Sequence, residues 1–105
     1  MKLKLPSVLK FGARHYNLGY KAHLHVDDGL KGVAYHRRET IGIDPIISKM
    51  DKDITLIHEA VHIINRQFSC HLEEDNVDRL GEGFFAFLSD NFDIEFDWSN
   101  IKDSE

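Results

Sequence analysis

"DITLIHEAVHIINRQF", residues 53–68, carries the strongest periodic pattern in the chain. Ile54, Ile57, Val61, Ile64 and Phe68 recur at helical spacing, so the segment predicts an amphipathic helix, with Ser48, Asp51 or Asp53 available as its N-cap. Leu56 and Ile63 fall on the opposite face, which predicts that the helix is covered on two sides. Within it stands His58-Glu59-Ala60-Val61-His62. Residues four apart share a helix face, so His58 and His62 can grip one ion. Zinc accepts imidazole nitrogen and keeps a position for water in catalytic sites. Glu59, adjacent to His58, can reach such a water without being a ligand and take its proton as it attacks a carbonyl. A chance match in a chain of this length and composition has odds of roughly 3 in 100. A polar triplet among aliphatic residues costs free energy unless it has partners, and a metal supplies them.

A catalytic zinc needs a third protein ligand, and the following segment offers Cys70, His71, Glu73, Glu74, Asp78 and Glu82. A second helix is predicted from about Leu72 to Asp90, with Val77, Leu80, Phe84 and Leu88 as its apolar stripe and Phe84, Phe85 and Phe87 assigned to the core. The connection, about Gln67 to His71, is short, so the helices should be antiparallel neighbours. A metal level with Ala60 then faces the start of the second helix. Glu73 and Glu74 flank its inner face, and Glu74 leads. Glu73, His71 and Glu82 follow, then Cys70 and Asp78.

The first half reads as strand and turn, with five glycines between short alternating runs in residues 9–44. "YKAHLHV", Tyr20–Val26, predicts a strand with Ala22, Leu24 and Val26 on one face and His23 and His25 on the other, a weak second metal pair. Asp27-Asp28-Gly29 signals a turn. "GVAYHRRETIGI", Gly32–Ile43, predicts a hairpin or bent edge strand, where a peptide could pair with the backbone and Tyr35 or His36 could polarise its carbonyl. Arg37-Arg38 reads as a small solvated basic spot, and Cys70 as a small structural residue with no base placed beside it. The acidic, aromatic tail predicts either a short strand or a mobile end. Strands followed by helices predict an α+β class. The expected organisation is a single domain over residues 1–105, strand-rich over 1–47, helical over 48–90, with an acidic tail over 91–105.

"LIHEAVHIIN" followed by "LEEDNVDRLGEGFFAFLSDN" resembles small phage- and prophage-encoded HExxH proteins, minimal zincins described as candidate metallopeptidases. More distantly the chain is similar to ImmA/IrrE-type peptidases, in which a glutamate on the next helix completes the site. The resemblance covers most of the chain. It implies a zincin-like fold with N-terminal antiparallel strands, Zn²⁺ held by His58, His62 and Glu74, and Glu59 as general base. The chain departs from larger glutamate zincins in showing no Asn-Glu-x-x-Ser-Asp helix after the histidines.

Composition sets the remaining expectations. The 105 residues, 42% of them hydrophobic, suffice for one core. A net charge of −5 offers no general basic footprint for nucleic acid and disfavours anionic membranes. A single cysteine excludes an internal disulfide and suits a reducing compartment. No apolar run approaches a membrane span, and the start of the chain, broken at Pro6 and Gly12, does not read as a signal peptide. The expected protein is soluble and cytoplasmic, in the host cytoplasm if phage-encoded. Two functions compete: a zinc-dependent metallopeptidase acting on a peptide or protein substrate, and a zinc-containing module that binds a partner without cleaving it. Glu59 favours the enzyme, since zinc binding alone needs only ligands.

Overall fold

The computed structural model describes residues 1–104, so the last residue of the tail, Glu105, lies outside the described residues. The elements run β1 (Lys2–Lys4), β2 (Val8–Phe11), β3 (Arg14–Tyr20), α1 (Leu24–Asp28), β4 (Gly32–Tyr35), β5 (Thr40–Ile43), α2 (Lys49–Gln67), α3 (Glu74–Phe92) and β6 (Glu95–Asp97). The class is α+β. Its radius of gyration is 13.1 Å, close to the roughly 13 Å of a folded chain of this length.

Four strands form one sheet in the order β2-β3-β5-β4. The expectation of antiparallel strands holds for β2–β3 and for the β4–β5 hairpin, but β3 and β5 are parallel. The reason is the path of the chain. After β3 it crosses through α1, β4 runs back along the far edge, and β5 returns through the gap between them. A second, two-stranded parallel sheet joins β1 to β6, so the tail packs as a strand.

The stretch expected as a strand at Tyr20–Val26 is not one. β3 ends at Tyr20, His23 takes a left-handed conformation (φ 70°), and α1 follows. Asp44 decides this locally: its buried carboxylate accepts the backbone N–H of His25 at 2.8 Å and that of Ile46 at 3.0 Å. Of the three residues assigned to one face, Leu24 is buried and Val26 is 72% exposed. His23 and His25 therefore do not share a strand face, and among the described residues neither belongs to a group of three side chains that could hold a metal. The turn signal at Asp27-Asp28-Gly29 is met by Gly29, which ends α1 at φ 69°.

The core is the layer between the sheet and α2. Leu5, Tyr16, Leu18, Ile41, Ile43, Leu56, Ile63, Trp98 and Ile101 form one buried cluster. Ser48 caps α2, its hydroxyl accepting the Asp51 N–H at 3.1 Å. The deepest face of α2 is the Leu56/Ile63 side. Ile64 and Phe68, expected on the principal stripe, are exposed.

α3 packs against α2 through a different stripe from the one the sequence suggested. Val77 and Gly81 are buried, whereas Leu80 and Phe84 are 41% and 52% exposed and Phe87 is exposed too. The stripe turned because Gly81 lets the helices come together: a Cβ there would sit 3.3 Å from the His58 Cα. The closest approach follows the residue without a side chain, not the largest apolar ones.

Candidate metal centre

α2 and α3 run antiparallel, so positions on one descend as they ascend on the other. His62 meets Glu74 and His58 meets Asp78, with Nε2–Oε1 and Nε2–Oδ1 separations of 3.2 Å and 3.3 Å. The two imidazoles face each other with Nε2 atoms 3.0 Å apart. His58, His62 and Glu74 each offer a ligand atom, and these atoms lie within 4.8 Å of one another. Ligand atoms bound at about 2 Å to one tetrahedral ion stand roughly 3.3 Å apart. Two of the three spacings are already there, so the residues fit a zinc ion.

Of the other third-ligand candidates, Glu73 is the N-cap of α3, His71 and Cys70 lie exposed in the connecting loop, and Glu82 is exposed on α3. None joins the group formed by His58, His62 and Glu74. Asp78, expected from the sequence only alongside Cys70 behind the other candidates, touches His58. Its signal was available: Glu74 and Asp78 repeat on α3 the four-residue spacing of His58 and His62 on α2.

Asn65 sets the register of the two helices. Its side chain donates to the Leu72 carbonyl at 3.3 Å and accepts the Leu72 N–H at 2.9 Å, fastening the loop 68–73 back onto α2 just before Glu74.

Glu59 is only 8% exposed and points away from solvent beside the histidines. Its pKa is pushed up to about 7: burial raises it most, His62 opposes, and the charges of Glu74 and Asp78 add to the rise. With His58, Thr55, Asp51 and the Gly29–Gly32 segment it lines a groove of about 330 Å³. The groove exists because β4 lies close over α2, where a Cβ on Gly32 would come within 2.6 Å of the Thr55 methyl.

At the other end of the site, Tyr16 and His36 are joined, Oη to Nδ1, at 3.0 Å. Burial lowers the His36 pKa, and Arg66 and His62 lower it further, so the ring is neutral near pH 7 with Nε2 free. Tyr35 instead lies under two cations, Lys21 and Arg38, at 5.1 and 4.9 Å from its ring. Arg38 is thus held on an aromatic face, not simply solvated.

No protein-family model matches the chain, and no curated protein or solved structure is significantly similar to it. No helix among the described residues is long and apolar enough to cross a membrane.

Proposed function

We propose that the protein is a zinc-dependent metallopeptidase of minimal zincin type, acting on a peptide or protein substrate. The observation that carries this reading is the convergence of His58, His62 and Glu74 from two helices beside the buried Glu59, which with His58 lines a groove. His58, His62 and Glu74 would hold the ion. When bound, zinc supplies an acidified water and a Lewis acid for a carbonyl.

The chain's own residues supply the rest. Glu59, one residue from His58 and not among the converging ligand atoms, takes a proton at its carboxylate and returns it to the leaving amine. Its burial keeps the transferred proton from bulk water. The groove beside Glu59 positions the peptide, and β4, the end strand of the sheet, offers its backbone edge along it. His36, steadied by Tyr16, presents Nε2 as a donor for a developing oxyanion. The resemblance of the helix pair to small phage-encoded HExxH proteins points the same way, and a cytoplasmic setting, where a lone exposed Cys70 stays reduced, is part of the proposal.

Asp78 favours a second reading. If its carboxylate joins the other three groups, the site is closed with four protein ligands, the structural kind of zinc centre, and the protein acts by binding a partner. The test is a peptide-library cleavage assay on zinc-loaded wild type and Asp78→Asn, with zinc measured in each. The enzyme reading expects cleavage by wild type and unchanged zinc in Asp78→Asn. Fully loaded wild type that cleaves nothing, with zinc lost from Asp78→Asn, would establish the closed site.

A further inference from the structure

At the end of the site away from the Glu59 groove lies a second cavity of about 290 Å³, lined by Arg14, Tyr16, His36, Arg66 and Gln67. In a chain of net charge −5 it gathers two guanidiniums and an imidazole and contains no acid. One carboxylate reaches a residue of its lining: Glu39, half-buried, pairs with the exposed Arg14 at 3.5 Å. Such a pair is weak and leaves most of the guanidinium fork free. No ion pair occupies Arg66 among the described residues. Gln67 fixes the cavity wall by donating to the Phe11 carbonyl at 2.6 Å.

The position of this cavity relative to the metal centre is set by α2. Arg66 follows His62 by one helical turn, about 6 Å along the axis. An extended peptide advances roughly 3.4 Å per residue, so the cavity meets a side chain about two residues from a bond held at His58 and His62. Direction comes from β4. The Asp44 N–H donates to the Lys31 carbonyl, so Lys31, Val33 and Tyr35 turn their polar groups to β5 while Gly32 and Ala34 turn theirs to the open edge. β4 runs from the Glu59 groove toward His36. A peptide pairing antiparallel with it, the stronger arrangement, therefore places its N-terminal half at the cationic cavity.

We propose that the Arg14 and Arg66 guanidiniums of this cavity form a subsite for a carboxylate of the substrate, supplied by an aspartate or glutamate side chain about two residues before the cleaved bond. The proposal rests on the metallopeptidase reading for the bond, but not for the binding of the carboxylate.

The experiment uses zinc-loaded full-length protein and matched peptides that differ only in Glu or Gln, placed two residues before or two residues after the cleaved bond, each with a free or amidated C-terminus. The Glu-before peptides should exceed their Gln counterparts by about 10-fold in kcat/KM, as a charge-assisted contact to arginine implies. Arg66→Ala and Arg14→Ala, both at exposed positions, should abolish that advantage with zinc content unchanged, and Arg66→Lys should restore part of it. Equal cleavage of Glu and Gln peptides overturns the subsite. A preference for Glu after the bond, or for a free C-terminus, overturns the antiparallel placement. Binding of N-acetylglutamate α-amide against N-acetylglutamine α-amide, which differ only in the side-chain carboxylate, followed by NMR at Tyr16, His36 and Gln67, decides the matter without cleavage. Tighter binding of the acid, weakened about 10-fold in Arg66→Ala, supports the subsite even if no peptide is cut. Equal binding, or binding unaffected by Arg66→Ala, overturns it even if peptides are cut.

Discussion

Glu59 is the residue on which the proposed catalysis and the stability of the fold meet. Glu59→Gln keeps size and most hydrogen bonding but cannot accept a proton. Peptidase activity should fall by about 10²-fold or more while zinc content barely changes; a variant that cleaves as well as wild type would remove Glu59 from the mechanism. The metal-free protein should also carry a pH signature. The carboxyl's pKa rises from the ordinary 4.5 to about 7 on folding, so between those values the native state holds a proton that the unfolded chain has released. Stability contributed below pH 4.5 is lost as pH climbs through 7, by at most about 3 kcal/mol. Denaturant unfolding of metal-free wild type and Glu59→Gln at pH 5 and pH 7.5 should show the variant gaining on wild type at the higher pH. A constant difference would mean that burial does not hold the proton there. Glu74→Gln should behave differently from Glu59→Gln, lowering zinc affinity and stability together because it removes a converging ligand.

Between elements, α2 and α3 are held in register by small features. Gly81 and Gly83 are two residues apart on α3 and should respond in opposite ways. A Cβ at Gly83 meets nothing within 4 Å, so Gly83→Ala should stabilise by about 0.5–1 kcal/mol through helix propensity alone. Gly81→Val would drive its side chain into the His58 backbone, spreading the helices where the ligands converge. Zinc affinity should drop although no ligand has been touched, measurable by competition with a chromophoric chelator. Affinity equal to wild type would show that the helices have slack at the crossing. Asn65→Ala should weaken zinc binding in the same way, by freeing the loop that ends just before Glu74.

For the whole molecule, the C-terminal segment is structural. Asp53, buried on α2, accepts from the Trp98 indole N–H at 2.7 Å and the Phe96 N–H at 3.2 Å, with Lys49 Nζ at 2.6 Å. Trp98 and Ile101 complete the core and β6 holds β1. Deleting residues 93–104 should therefore abolish cooperative unfolding, and Asp53→Ala should cost about 3 kcal/mol or more by leaving the indole and a backbone amide unpaired. Calorimetry of the truncated chain checks the first; a sharp transition near the wild-type temperature would show that the tail is dispensable. Removing metal acts on the same scale, since an ion at His58, His62 and Glu74 would tie α2 to α3. Chelation should lower the melting temperature, by several degrees per kcal/mol of binding free energy lost.

What the sequence determined by itself was local. The helix over residues 53–68, the four-residue spacing of His58 and His62, the Gly32–Ile43 hairpin and the break at Gly29 all follow from spacing and backbone preference along a few neighbouring residues. The choice of Glu74 followed from adding one short loop between two helices, and the structure brings it to His62. Tertiary structure decided the rest, because it depended on partners distant in the chain. Asp44, through hydrogen bonds to His25 and Ile46, made a helix where alternation suggested a strand. Gly81 turned α3 so that Leu80, Phe84 and Phe87 face outward, since a missing side chain permits an approach that bulky ones forbid. Asp53 drew an acidic tail into the core. The cationic cavity joins Arg14 from β3, His36 from the hairpin loop and Arg66 from α2. Local periodicity carries no record of such meetings; they exist only once the sheet is laid on the helix.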